Sequence, residues 1–168
     1  MTSHICRLTF DISRLTSHVS HLTSDISRLG HGFSSLWGMQ TKFNEATDNR
    51  PDGARVIDAP FLFIDIEKYH RQLQEEEAWA KNDRNGITVF KSGGQTILLS
   101  LLHAGATIAN NEVNGTIIFH LLNGSITINI DDKSVALRQN QVITLHAGIK
   151  HNLYAADDSL LMITTVMK

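Results

Sequence analysis

From residue 96 to residue 167 the chain is cut into short β-rich runs. They lie at 96–102, 107–108, 116–122, 125–130, 134–137, 141–145, 151–155 and 160–167. Between them stand Ala104-Gly105, Asn114-Gly115, Asn123-Gly124, Asp131-Asp132, Gln139-Asn140 and Asp157-Asp158, pairs whose residues tolerate the backbone of tight turns. Runs this short cannot supply the long apolar stripe of an amphipathic helix, and their even punctuation argues for a sandwich or a closed barrel. Within 125–130 the residues Ile126, Ile128 and Ile130 alternate with Ser125, Thr127 and Asn129. One face of that strand is therefore apolar and the other polar, as in a half-buried barrel strand.

Two spaced sets of residues run through the same region. Gly105 is followed by Asn111, Val113, Ile117 and Gly124, and Asn140 by His146, Gly148, His151 and Ala155. These offsets resemble the two motifs of the cupins. The first family motif reads Gly, five residues, His, one, His, three or four, Glu, six, Gly; the second reads Gly, five, Pro, one, Gly, two, His, three, Asn. Gly105, Gly124, Gly148 and His151 match. The resemblance spans residues 42–168 and is best in LHAGATIANNEVNGTIIFHLLNGSITI and LHAGIKHNLYAADDSLLMIT. It implies an all-β cupin fold, a double-stranded β-helix or jelly-roll barrel, with one N-terminal α-helix.

The resemblance also implies a metal site at Asn111, Val113, Ile117 and His151, and there the residues depart from the family. Three imidazoles and a carboxylate suit a divalent transition ion. An amide, two aliphatic side chains and one imidazole do not. The expectation is a metal-poor cupin that binds a small molecule or serves as a structural module, with a pocket lined by Asn111, Val113, Ile117, Phe119, His146 and His151. No cofactor is expected. The alternative is an enzyme of oxygenase or isomerase type, in which a divalent metal or an acid/base site is rebuilt from His151, His146, His120 and Asn111. Strand alternation opposes His120: if Ile117, Phe119 and Leu121 face inward, His120 faces out with Ile118 and Leu122. A bulge near Asn114-Gly115 would reverse that facing. His103 is expected at a surface turn and His70 on an exposed helix face. Ser100, Ser125, Ser134 and Ser159 have no Gly-x-Ser-x-Gly setting, and Gly93-Gly94 lacks the Gly-Lys-Ser/Thr of a phosphate loop.

The first part of the chain differs in kind. From His4, four near-identical heptads place Ile5, Ile12, Val19 and Ile26 at one position and Leu8, Leu15, Leu22 and Leu29 three residues later. Ser and Thr fill many other positions and no Glu/Lys pairs flank the seam, which weakens a coiled-coil reading. Residues 1–38 are read as a leader outside the core, with dispensable segment, oligomerising helix and targeting segment as the alternatives, and Met39 as the functional start. Residues 39–94 are read as an arm, a helix and the first strands, and 95–168 as the barrel. In the arm, Val56-Ile57 and 61–64 flank Pro60 like an edge strand in two pieces. Asp65 is placed to cap a helix whose stripe is Ile66, Tyr69, Leu73, Trp79 and Ala80, with Glu75, Glu76 and Glu77 turned to solvent. Residues 82–86 are read as the turn after it and 87–90 as a strand.

With 168 residues, 42% of them hydrophobic, the chain suits one domain plus an appendage. A net charge of −2 carries none of the basic footprint of a nucleic-acid binder. Cys6 is the one cysteine, which excludes an internal disulfide and favours a reducing compartment. No apolar run reaches the roughly 18 residues of a membrane span, so the expectation is a cytoplasmic protein without a membrane partner. Self-association as a homodimer through the 40–64 arm and sheet edges is the expected assembly.

Overall fold

The computed structural model describes residues 41–48 and 50–167. The heptad leader of 1–38, Cys6 and Met39 lie outside the described residues. In chain order the elements are β1 (Lys42–Asn44), β2 (Arg55–Asp58), α1 (Ile66–Glu75), α2 (Glu77–Lys81), β3 (Arg84–Ser92) and β4 (Gln95–Leu102). β5 (Thr107–Asn111), β6 (Gly115–Asn123), β7 (Ser125–Ile130), β8 (Lys133–Arg138), β9 (Val142–Leu145), β10 (His151–Ala155) and β11 (Ser159–Met167) follow.

Two antiparallel sheets make the barrel: a five-stranded one in the order β3-β4-β11-β6-β9 and a four-stranded one in the order β5-β10-β7-β8. β1 and β2 pair separately as a ribbon. Apart from β3 with β4 and β7 with β8, every pairing in the two sheets joins strands that are not consecutive in sequence, as a jelly roll requires, and β3 joins the larger sheet although it precedes residue 95. The register of the larger sheet is legible in rows. Gly86, Ser100, Leu161 and Leu121 stand side by side, then Thr88, Leu98, Ile163 and Phe119, then Thr96, Thr165 and Ile117. These rows face the smaller sheet, whose Ile126, Ile128, Leu153 and Ala155 are buried with Phe119, Leu121 and Leu161 in one core cluster.

The alternate rows face outward and make a second core. Ile87, Leu99, Leu101 and Leu160 are covered by α1, whose Leu73 is fully buried, with Ile66, Tyr69 and Trp79 packed around them. Asp65 caps α1 by accepting from the Lys68 amide at 3.0 Å. Ile64 and Tyr69, the positions that staple such a helix start, both pack on this cluster.

Four local expectations change. Residues 61–64 form no strand; Phe61 and Phe63 are 88% exposed, and Ile64 is used to anchor the helix instead of a ladder. The helix is two helices, because Glu76 takes an extended backbone (φ −70°, ψ 140°) that ends α1 and starts α2. Glu76 is also not part of a solvated acidic face, since its carboxylate is drawn inward as described below. Asn85 and Gly86, read as turn residues, lie within β3 because the chain enters the sheet at Arg84.

Candidate functional site

Between the sheets, on the inner rows, is a cavity of about 380 Å³. Leu98, Ile163 and Phe119 form its centre on the larger sheet, and Ile108 and Leu153 close it from the smaller one. The wall is mostly apolar, and its polar members are few: Asn111 and His151 on the smaller sheet, Ser100 and Thr165 on the larger, and Arg84 and Asn85 on β3.

Asn111 reaches this cavity through a backbone irregularity. β5 and β10 pair Asn111 with His151 and Ile108 with Leu153, so β5 carries one residue more than its partner over that stretch. The extra residue is accommodated at Asn110, whose φ of 53° is left-handed, a region asparagine tolerates better than most residues. Without it, strict alternation from the inward Ile108 would turn Asn111 to solvent. Asn110 is exposed, its amide donating to Asn152 Oδ1 at 2.7 Å.

His151 is 2% exposed and uses both ring nitrogens. The Ile149 carbonyl lies 2.9 Å from Nδ1 and can only accept, so Nδ1 carries the proton of the neutral ring. Nε2 is then an acceptor, and Asn111 Nδ2 donates to it at 3.1 Å. Phe119 meets the imidazole edge-on with ring centres 5.4 Å apart. Asn111 thus occupies a histidine's motif position and spends its amide on the imidazole that would otherwise offer a lone pair.

The structure brings Asn111, Val113, Ile117, Phe119 and His151 together on the cavity wall. It does not bring the other two histidines there. His146 is exposed on the loop after β9 and is not among the lining residues; it directly follows Leu145, which is buried in the core between the sheets. His120 stands on the outer face of β6 beside Met162 and Val142, since the strand runs from Gly115 to Leu121 without a register shift. The bulge lies on β5 instead of at Asn114-Gly115. His103 is half-buried, stacked on Trp79 with ring centres 3.4 Å apart, and its Nε2 donates to the Trp79 carbonyl at 3.1 Å.

Among the described residues no three His, Cys, Asp or Glu side chains stand close enough together to share an ion. The donors at the four motif positions do not fit a divalent transition metal. Val113 and Ile117 offer none, and the single imidazole is already hydrogen-bonded at both nitrogens.

Sequence reasoning missed the polar wall behind the cavity. Arg50, from the loop after β1, donates to both carboxylate oxygens of Glu76 at 2.7 Å, and its Nη2 also lies 3.2 Å from Asn85 Oδ1 and 3.1 Å from the Gly86 carbonyl. Asn85, 6% exposed, donates to Leu73 O at 2.9 Å and Glu76 Oε2 at 2.8 Å, and Gln72 donates to Glu76 Oε1 at 3.0 Å. Burial works to raise the Glu76 carboxyl. The hydrogen bonds from Arg50 and Asn85 outweigh it and hold the group below the usual carboxylate range. On the outside of this wall lies a polar surface groove of about 670 Å³, where Glu76 is committed to Arg50 and Lys81 to Glu77. At the same end of β3, one residue before Asn85, Arg84 grips Asp83 through Nε at 2.9 Å and Nη2 at 2.6 Å and donates to the Thr107 carbonyl at 2.9 Å, bridging the two sheets. Asp83 raises the Arg84 guanidinium above its ordinary value, and Arg84 lowers the Asp83 carboxyl.

The two sheets, the interleaved strand order and the cavity between them make this a cupin jelly-roll fold. No family model matches the chain, and no curated protein matches it in sequence. Solved structures do resemble it. A conserved protein of unknown function from Streptococcus pyogenes superposes with a TM-score of 0.53 at 19% identity, over 74% of this chain and 96% of its own. A cupin-2 domain containing protein from Shewanella frigidimarina gives 0.51 at 12% identity, over 61% and 93%. A cupin superfamily protein from Desulfitobacterium hafniense gives 0.50 at 20% identity, over 52% and 80%. At these identities the likeness is one of fold. Among the described residues, no helix is long and apolar enough to cross a membrane.

Proposed function

We infer that this chain is a small-molecule-binding module whose site is the barrel cavity. The observation that carries the reading is the cavity itself: about 380 Å³ of space between two otherwise close-packed sheets, apolar at its centre with a few polar groups on its wall. Such a shape fits the general form of ligand pockets, and a packed core of this size would not leave it open. His151 and Asn111 act here as a hydrogen-bonded pair that sets the polarity of one end. An enzymatic role through a second histidine has no support in this geometry, since His120 and His146 lie elsewhere.

Methyl-resolved NMR with a library of small fragments tests the reading. Binding in the cavity is expected to shift the methyls of Leu98, Ile108, Val113, Ile117 and Ile163 and to leave the outer-face methyls of Leu99 and Leu101 in place. Ile163→Phe, which fills the centre, is expected to abolish those shifts while the protein stays folded. Fragments that move only outer-face or surface methyls would reject the cavity as the site.

A further inference from the structure

We propose that the cavity selects an uncharged ligand, an apolar body of roughly bicyclic size carrying one hydroxyl or carbonyl group that hydrogen-bonds to Ser100. The proposal rests on the reading of the barrel cavity as a ligand site and adds the chemistry of what enters it.

The polar groups of the wall divide into committed and uncommitted ones. Asn111 and His151 are spent on each other and on the Ile149 carbonyl. Asn85 is spent on Leu73, Glu76 and Arg50. Arg84 is the sole charged side chain among the lining residues described, and its charge is met by the two oxygens of Asp83. What remains is a pair of hydroxyls, those of Ser100 and Thr165, for which no side-chain hydrogen bond is found among the described residues.

Ser100 is the sharper of the two. It is 6% exposed and stands on the inward row between Gly86 and Leu161. Gly86 has no side chain to cover it, so the space beside the hydroxyl is part of the cavity. The hydroxyl is open to the cavity and is not a buried orphan, so a ligand oxygen that pairs with it there gains one net hydrogen bond. A carboxylate or ammonium would gain far less than it loses. Neutral hydroxyls do not replace the hydration of a full charge, and among the described residues no unpaired counter-charge lines the space. As to size, an apolar cavity of about 150 Å³ holds one benzene ring, so this one accommodates about two fused rings.

Three probes of one shape decide the matter: naphthalene, 2-naphthol and 2-naphthoate, each titrated at pH 7 into the full chain while the methyls of Leu98, Ile117 and Ile163 are followed. 2-Naphthol is expected to bind about 2- to 10-fold more tightly than naphthalene, the size of one net hydrogen bond. 2-Naphthoate is expected to bind at least about 100-fold more weakly than 2-naphthol. Ser100→Ala should erase the advantage of 2-naphthol and leave naphthalene binding unchanged. Naphthoate binding as tightly as naphthol, or a Ser100→Ala protein that still prefers naphthol, overturns the proposal while the cavity remains a ligand site. If none of the three probes moves these methyls, the ligand-site reading falls and takes this inference with it.

Discussion

At the scale of single residues, His151 is held by two hydrogen bonds and one aromatic edge, and each partner comes from a different part of the chain. Asn111→Ala leaves Nε2 without a donor in a mostly apolar pocket. Chemical denaturation is expected to show a loss of about 1–3 kcal/mol. The glycines of the motifs separate by what surrounds them. Gly124 has φ 92°, and a Cβ there would collide with Ser159 Oγ and the Asp158 carbonyl; Gly105 has φ 88° but nothing near it. Both alanine variants carry backbone strain of about 1–2 kcal/mol, and only Gly124→Ala adds a collision with backbone. Thermal melts should therefore place Gly124→Ala well below Gly105→Ala, and equal melting temperatures would contradict this account. His151 was legible from spacing alone. The inward turn of Asn111 was not, because it depends on a bulge at Asn110 that no strand periodicity announces.

At the scale of elements, one side-chain network joins three segments that share no strand ladder. Arg50 brings the loop after β1, Glu76 the α1–α2 junction and Asn85 the start of β3. Glu76→Gln removes the charge that Arg50 grips and is expected to cost about 1–3 kcal/mol at neutral pH. The sign of its pH dependence follows from the lowered carboxyl. A group whose folded value lies below its unfolded one contributes fully above the ordinary value of 4.5 and loses that contribution as pH falls through the folded value. The stability gap between parent and Glu76→Gln, measured by urea unfolding from pH 7 to pH 3, should hold down to about pH 4.5 and then close. A gap that widens in acid would refute the assignment. The helix itself is held by packing: Leu73→Ala, at a fully buried position, is expected to cost about 2–5 kcal/mol in the same assay. The helical stripe that includes Leu73 can be read from the sequence. The break at Glu76 cannot, because three consecutive glutamates look alike until one of them meets an arginine 26 residues earlier in the chain.

At the scale of the whole molecule, the expectation of a homodimer stands as a proposal, and the arm supplies its candidate surface. Phe43, Phe61 and Phe63 are exposed there, and among the described residues β1 and β2 pair only with each other. Light scattering at micromolar concentration should give twice the chain mass, with Phe61→Glu and Phe63→Glu together shifting it toward monomer; a parent protein that is already monomeric rejects the proposal. The sequence by itself determined the barrel class, since alternation and turn-forming pairs act over a few residues and leave their period in the text. It also determined which residues at the motif positions can donate to a metal, because donor chemistry belongs to the side chain. Only the tertiary structure decided which side of the sheet each histidine faces, which polar groups are already paired and where empty space remains. Those depend on register, on a single left-handed residue and on partners brought together from distant segments, and no local pattern encodes them.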